Sequence, residues 1–238
     1  MGRAYNVRKA SIQKKGAVKG KLFSIYAKEI YVAAKNNSDP EVNDRLKRLI
    51  ERAKKDQVPS DIIKRAIEKA RGAGDEDYEE VTYEGFGPGA STFIINCLTD
   101  NLNRTVSFVR AAFNKVNKTL GVTNSVAYNY DFLGIISFIH SNEEEILDYL
   151  LSMGFDIIDI ESEGKEITIT MNPSIIDNVK EALENLISNL DYTYDEVGMF
   201  AKEEIILNEE DQETFDKLLN LLNEIEDVNH VYHNVKLD

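Results

Sequence analysis

The sequence predicts an α+β protein with a basic three-helix N-terminal domain and two ferredoxin-like βαββαβ domains, the second inserted into the first. Three observations support this prediction. Helical periodicity dominates residues 21–72, short β-rich segments alternate with helical ones after residue 76, and the net charge changes sign between the two parts. The expected domain boundaries are 1–75, then 76–133 together with 201–238, and 134–200 for the insertion.

Three amphipathic helices are expected before residue 75. The first covers residues 21–35, where apolar residues recur at helical spacing. Asp39-Pro40 combines an N-cap residue with proline at the first helical position, so the second helix is expected over 39–55. Ser60 and Gly72 are residue types that start and end helices, which places the third helix between them.

The remaining chain contains the elements of two βαββαβ units. The inner unit is continuous in sequence, with strands at 135–139, 155–160, 166–171 and 192–199 and helices at 143–153 and 173–188. The outer unit is expected to combine strand 91–99, helix 104–117 and strand 125–131 with strand 204–207, helix 209–226 and strand 229–235. A linear tandem of smaller pieces is the alternative, but it would leave strand edges unpaired.

Charge is distributed unevenly along the chain, whose formal net charge is −14. Residues 1–74 contain 19 Lys and Arg against 8 Asp and Glu, and residues 75–238 contain 9 against 34. The first part therefore carries a net charge of +11 and the second −25. Such asymmetry favours binding to a polyanion, with the basic end approaching first. The alternative is a basic helical bundle that merely adjoins acidic domains.

The candidate phosphate contacts are basic residues of the N-terminal part. The first 22 residues contain seven of them and no acid, and four cations of the second helix recur on one face at i, i+3, i+7 and i+10. The full set is Arg8, Lys9, Lys14, Lys15, Lys19, Lys21, Lys28, Arg45, Arg48, Arg52 and Lys55. A helix-turn-helix formed by the second and third helices is a competing interpretation, but antiparallel helix pairs occur in any bundle.

Two loops of the acidic part hold candidate partner contacts. Tyr83–Gly89 is rich in glycine, yet Pro88 and the strand expected after it argue against a dinucleotide-binding turn. A tight structural turn is favoured there, and a ligand or partner contact is the alternative. In the loop before the next helix Asn103 is the expected N-cap, and Arg104 either forms an internal salt bridge or binds a partner. The candidate contacts are Tyr83, Phe86, Asn101 and Arg104.

No catalytic or metal-binding pattern is present in the sequence. His230 and His233 would point to opposite faces of one strand, so they cannot share a metal, and neither a metal nor another cofactor is expected. No apolar segment approaches the length of about 18 residues that spans a membrane. Cys97, the single cysteine, lies in an apolar run and is expected to be buried. Its isolation is typical of a cytoplasmic protein.

Seven segments of the chain form a distinctive combination. They are KGKLFSIYAKEIYVAAK (19–35), DPEVNDRLKRLIERAK (39–54), VPSDIIKRAIEKARG (58–72), YEGFGPGAS (83–91), LTDNLNRTVSFVR (98–110), SVAY (125–128) and VYHNV (231–235). Together they resemble the YebC/PmpR family. The resemblance covers essentially the whole chain and implies one helical and two α/β domains, the last inserted into the second. The opening Gly2-Arg3-Ala4-Tyr5-Asn6 differs from the family's common Gly-His-Ser-Lys-Trp and is similar to a subgroup that opens with Gly-Arg.

For function, the resemblance implies a DNA-binding transcriptional regulator without enzymatic activity. Some relatives, including a mitochondrial translational activator, act instead on ribosomes or messenger RNA. We therefore expect a non-enzymatic, nucleic-acid-binding regulator of gene expression, with DNA as the first expected target. The alternatives are a translation factor associated with ribosomal or messenger RNA, and an interaction scaffold whose basic face binds an acidic protein. A cytoplasmic monomer or weak dimer without membrane attachment is expected.

Overall fold

A computed structural model of the chain describes residues 19–72 and 78–236. These residues form two compact units. Of these described residues, the first unit contains those from 19 to 126 and from 207 to 232. The second unit contains residues 127–206 and 233–236. The chain therefore leaves the first unit after residue 126 and returns at residue 207, and its last described residues, 233–236, belong to the second unit.

Three helices begin the first unit. They are α1 (Lys19–Asn36), α2 (Asp44–Lys55) and α3 (Ser60–Arg71). Their apolar faces pack around Tyr26, Ile30 and Leu46, as the periodicity predicted. The predicted start of the second helix was wrong, because the cap is Asn43, whose side chain accepts the Leu46 N–H at 3.0 Å. Asp39 instead accepts the Glu41 N–H at 3.1 Å in a separate turn.

A four-stranded sheet completes this unit. Its elements are β1 (Glu79–Phe86), β2 (Thr92–Thr99), α4 (Leu102–Asn114), β3 (Thr119–Leu120), α7 (Glu209–Glu224) and β8 (Val228–His233). The strand order is β3-β1-β2-β8, and β1 pairs antiparallel with both β2 and β3. In the core, the ring of Phe93 on β2 contacts the rings of Phe113 on α4 and Phe215 on α7. The neighbouring positions of β2 and β8 confirm the predicted pairing of segments far apart in sequence.

The predicted βαββαβ order of this outer unit was wrong in two places. Residues 127–129 form a 3-10 turn rather than a strand, because the N–H groups of Asn124 and Val126 bind the carboxylate of Glu84, each at 2.7 Å. Residues 204–207 form a single bridge between Ile205 and Val235 rather than a strand. The strand that completes the sheet is β1, which precedes the glycine-rich loop.

The second unit has the βαββαβ order predicted for the inserted segment. Its elements are β4 (Tyr130–Ile139), α5 (Glu143–Ser152), β5 (Ile157–Glu163), β6 (Glu166–Met171), a 3-10 turn (Pro173–Ile175), α6 (Ile176–Leu186) and β7 (Tyr192–Ala201). The strands form an antiparallel sheet in the order β5-β6-β4-β7. Alternate residues of the sheet, such as Ile136, Phe138 and Ile169, pack with apolar residues of both helices in one core.

Candidate nucleic-acid interface

The basic face of α2 contains the four cations predicted from their spacing. Arg45 and Lys55 are exposed, whereas Arg48 and Arg52 are half-buried. The Arg45 guanidinium forms an ion pair with the Glu80 carboxylate on β1. The predicted set therefore does not lie on one fully solvated face, since one flank of it turns toward the rest of the unit.

The sequence prediction missed two exposed lysines of the same helix. Lys47 and Lys54 are exposed and lie seven residues apart, so they share a face. Leu46 and Ala53, the residues just before them, are fully buried, which turns the two lysines away from the core. The seven-residue spacing of the apolar residues Leu46 and Ala53 was the sequence signal that could have identified the two lysines as exposed. Together with Lys55 they form the α2 lysine cluster.

The α3 helix has further exposed cations. Its exposed basic residues are Lys64, Arg65, Lys69 and Arg71. Arg71 is held in place, because its guanidinium donates to the Ser38 hydroxyl at 2.9 Å. Cations on two adjacent helices of one bundle offer several charges to a phosphate backbone.

Two predicted phosphate contacts on α1 point instead into the α/β part of their own unit. Lys21 donates to the Asn223 carbonyl, and Lys28 donates to the Glu226 carbonyl at 3.3 Å and lies 3.6 Å from the Asp227 carboxylate. Burial is the main reason why the pKa of Lys21 falls to about 8. The Lys28 side chain is only 11 % exposed. Both lysines therefore attach α1 to the chain segment where α7 ends and β8 begins.

The remaining members of the predicted set belong to the start of the chain. Arg8, Lys9, Lys14 and Lys15 lie outside the described residues. Lys19 is the first residue of α1. These five stay a prediction.

Arg104, a candidate partner contact, belongs to a partly buried ionic cluster. Its guanidinium donates to both oxygens of Asp227, at 2.9 Å each, and to Asp100 at 2.7 Å. The Thr105 hydroxyl donates to Asp227 at 2.8 Å. Burial alone would raise the pKa of Asp227, but the bonds from Arg104 and Thr105 outweigh it and lower that pKa. The cluster ties α4 to the start of β8.

The cap of α4 lies two residues earlier than predicted. The Asn101 side chain accepts the Arg104 N–H at 3.0 Å, which makes Asn101 the N-cap in place of Asn103. Asn103 lies inside the helix and is exposed. Asn101 therefore has a structural role in addition to its candidacy as a partner contact.

The glycine-rich loop is a tight turn between β1 and β2. A Cβ at Gly85 would lie 2.4 Å from the Phe113 ring, and one at Gly87 would lie 2.4 Å from the Phe93 ring. The Gly87 N–H donates to the Ser91 carbonyl at 2.8 Å. The glycines thus allow the backbone to approach the aromatic core closely.

Two aromatic residues of this loop region differ in exposure. Phe86 is 45 % exposed at the end of β1, and Tyr83 is half-buried in the middle of that strand. Burial is the main cause that raises the pKa of Tyr83. Of the two, Phe86 presents the larger surface to a partner.

Two further properties bear on the class of protein. Within residues 19–72 and 78–236, no group of three or more His, Cys, Asp or Glu side chains is arranged to hold a metal ion. None of the helices in the described ranges is both long and apolar enough to cross a membrane.

Comparison with known proteins identifies relatives along the whole chain. Residues 3–73 match the model of the TACO1/YebC protein N-terminal domain, and residues 78–235 match that of the TACO1/YebC second and third domain. A protein of Chromohalobacter salexigens named "Probable transcriptional regulatory protein" is 44 % identical over 238 residues, which is 100 % of this chain and 99 % of the relative. One of the same name from Acholeplasma laidlawii is 47 % identical over 238 residues, covering 99 % and 98 %.

A solved structure has the same fold. The crystal structure of a conserved hypothetical protein, Aq1575 from Aquifex aeolicus, matches with a TM-score of 0.75 and 34 % sequence identity, covering 94 % of this chain and 93 % of that one. Both parts of the chain match domain models of one family, and the identities extend over nearly the full length. The chain therefore belongs to the TACO1/YebC family, and the relatives from Chromohalobacter salexigens and Acholeplasma laidlawii are named probable transcriptional regulatory proteins.

Proposed function

We propose that this protein is a non-enzymatic, cytoplasmic regulator of gene expression that binds nucleic acid through its basic N-terminal domain, with duplex DNA as the first target. The relatives' name, probable transcriptional regulatory protein, supports a role in transcription. We propose three domains for this protein: residues 1–75, residues 76–133 together with 201–238, and residues 134–200. The opening Gly2-Arg3 supports its membership of the family subgroup that opens with Gly-Arg.

One observation carries the proposal. Nineteen of the 28 Lys and Arg residues precede residue 75, where only eight acids oppose them. The α2 lysine cluster and the basic residues of α3 are exposed there. Lys and Arg side chains that neutralise phosphates supply affinity without reading the base sequence. The acidic remainder as a whole repels the same phosphates, so it favours approach through the basic domain.

The structure changes which residues we expect to carry the affinity. Lys21 and Lys28 contact carbonyl and carboxylate groups of their own unit, so they contribute to nucleic-acid binding less than their spacing suggested. We assign the phosphate contacts to the α2 lysine cluster, to the flank of Arg48 and Arg52, and to the basic residues of the first 19 positions.

The test measures binding of the full-length protein to a DNA duplex as a function of salt. The variant Lys47→Ala/Lys54→Ala/Lys55→Ala removes three exposed cations, and its control Lys165→Ala/Lys202→Ala/Lys217→Ala removes three exposed cations from the acidic part. The slope of log K against log salt should flatten by roughly 0.9 for each phosphate that the protein no longer neutralises. The α2 variant should therefore reduce the slope by about two to three. The control should behave as the wild type.

Three results are informative about the target. Equal weakening on unrelated DNA sequences supports phosphate contacts, since these do not discriminate bases. Much tighter binding to an RNA duplex or to ribosomal subunits at equal salt would replace the transcriptional role by that of a translation factor. Unchanged slope and affinity in the α2 variant would refute the proposed site.

A further inference from the structure

We propose that the exposed face of α4 is a second nucleic-acid contact, which holds a single strand by stacking one base on Phe108 and by pairing phosphates with Arg110 and Lys115. This proposal rests on the proposed function, because it extends nucleic-acid binding from the helical domain to the first α/β sheet. It assigns a role to a surface of the acidic part that the basic N-terminal domain does not account for.

The surroundings of α4 are unusual for the part of the chain in which it lies. Residues 75–238 contain 34 Asp and Glu, yet the thirty residues 101–130 contain none. The same stretch contains four of the nine cations found after residue 74, namely Arg104, Arg110, Lys115 and Lys118. A segment with a net charge of +4 inside a strongly acidic part is electrostatically complementary to a phosphate backbone.

The helix separates its buried and exposed residues cleanly. Val109, Ala112 and Phe113 are buried against the sheet. Phe108 is 53 % exposed, and Arg110 and Lys115 are exposed as well. Residues on the outer face include the small Ser107 and Ala111, which leave room around the Phe108 ring.

Helical geometry places the aromatic ring on the same face as a cation. Phe108 precedes Lys115 by seven residues, so the two lie on one stripe of the helix surface. Arg104 begins the same stripe four residues before Phe108, but Asp227 and Asp100 bind its guanidinium. Arg110 lies on the opposite edge of the exposed face. Proteins that bind single strands combine an aromatic ring, on which a base stacks, with cations that pair with phosphates.

Arg110 and Lys115 differ from Arg104 in whether their charges form ion pairs with acids of the protein. Arg104 is bound to Asp227 and Asp100. Within the described ranges 19–72 and 78–236, no ion pair involves Arg110 or Lys115. No acid of the described ranges therefore neutralises the charges of Arg110 and Lys115, and both remain available to the phosphates of a ligand.

The neighbouring helix limits the contact to a narrow path. The α7 helix packs beside α4 and contains six acidic residues, which repel phosphates on that side. A duplex presents two backbones and hides its bases, so it would meet this repulsion without gaining a stacked base. A single strand follows the basic path and exposes a base to Phe108, which is why the surface favours it.

The test uses the full-length protein with a U-rich RNA strand, a dT strand of equal length, and an abasic DNA strand that keeps the phosphates without the bases. Phe108→Ala should weaken binding to at least one base-bearing strand by about fivefold or more, as expected from removal of one stacked base. Its effect on the abasic strand should be small. Phe108→Tyr should restore binding, and Phe108→Leu should not.

The cations are tested separately. Arg110→Ala/Lys115→Ala should weaken binding to all three strands and flatten the salt slope by roughly 0.7 for each contact with a single strand. The control Lys165→Ala/Lys202→Ala removes the same charge from exposed positions of the second unit and should behave as the wild type. Phe132→Ala, at a residue 58 % exposed on β4, controls for removal of an exposed aromatic ring.

The outcomes separate this inference from the proposed function. If the α4 variants bind as the wild type while Lys47→Ala/Lys54→Ala/Lys55→Ala binds more weakly, the α4 contact is refuted and the proposed function stands. If Phe108→Ala weakens the abasic strand equally, or Phe108→Leu binds normally, the ring does not stack on a base and the inference is refuted. If the wild type binds no nucleic acid, both proposals fall.

Discussion

The Glu29 carboxylate of α1 lies 3.1 Å from the His230 Nε2 of β8, two hundred and one positions away in sequence. The Asn229 amide donates to the same carboxylate oxygen at 3.0 Å. Glu29 is only 15 % exposed, and burial alone would raise its pKa. The bond to His230, the histidine charge, Arg52 and Asn229 outweigh that effect and lower the pKa. An acid of the basic domain thus attaches α1 to the strand that closes the first sheet.

The first prediction concerns the pH dependence of stability. Because its folded pKa is lowered, ionised Glu29 contributes stability that is fully present above its unfolded value of about 4.3 and disappears as the pH falls below it. Glu29→Gln should lower the free energy of unfolding at pH 7 by about 1.5–3 kcal/mol, the usual contribution of a hydrogen bond to a charged group. Urea unfolding at several pH values should show this difference shrinking below about pH 4.

The control for that experiment is Glu51→Gln, which changes an exposed acid of α2. Its unfolding curves should follow those of the wild type at each pH. A Glu29→Gln penalty of the same size at acidic and neutral pH would show that the charge of Glu29 does not contribute.

The second prediction tests the close approach of the glycine-rich loop to the aromatic core. Gly85→Ala places a methyl group 2.4 Å from the Phe113 ring, so it should destabilise the protein by about 1–3 kcal/mol through overpacking. Gly20→Ala in α1 meets no atom within 4 Å and should stabilise the helix by up to about 1 kcal/mol. Thermal unfolding should therefore move in opposite directions for the same chemical change. Equal melting temperatures would contradict the packing account.

The third prediction concerns the ionic cluster around Asp227. Thr105→Val keeps the side-chain shape but removes the hydroxyl that donates to Asp227 at 2.8 Å. With a buried acceptor deprived of one donor, the free energy of unfolding should fall by about 1–3 kcal/mol. Ser107→Ala removes an exposed hydroxyl of the same helix, bonded to the Asn103 carbonyl at 2.7 Å, and should cost much less. Similar destabilisation by both variants would argue against a special role of Asp227.

The fourth prediction uses the reactivity of the single cysteine. Burial, with a smaller effect of the Asp227 carboxylate, raises the pKa of the Cys97 thiol to about 12. The thiolate is the reactive species, so native protein at mildly alkaline pH should react with a disulfide reagent only slowly, and urea-unfolded protein at once. Complete labelling within seconds in the absence of denaturant would show that the thiol is accessible.

Much of the fold follows from sequence patterns that are local. Helical spacing around Tyr26 and Ile30 identified α1, and short β-rich segments between helices identified the strands of the inserted unit. One failure lies where a buried polar group decides the backbone. Residues 125–131 have a strand-like alternation, yet the Glu84 carboxylate takes the N–H groups of Asn124 and Val126 that a neighbouring strand would otherwise bind.

For the candidate interface too, some properties follow from the sequence and others from the tertiary structure. The excess of cations before residue 75 is a property of the sequence itself, and so is the acid-free stretch 101–130. Which cations face a ligand is a tertiary property. Lys21 and Lys28 have the spacing of an exposed face, but acceptors between the end of α7 and β8 bind them, whereas Lys47 and Lys54 are turned outward by the burial of their neighbours.

The sequence by itself therefore determined the class of the protein, most of its helices and strands, and the sign of the charge on each part. The tertiary structure decided which side chains neutralise one another. Glu29 and His230, or Arg104 and Asp227, are separated by more than 120 residues and meet only because β8 returns to the first sheet. Short-range patterns encode periodicity and charge, whereas such pairings depend on how distant strands close a sheet.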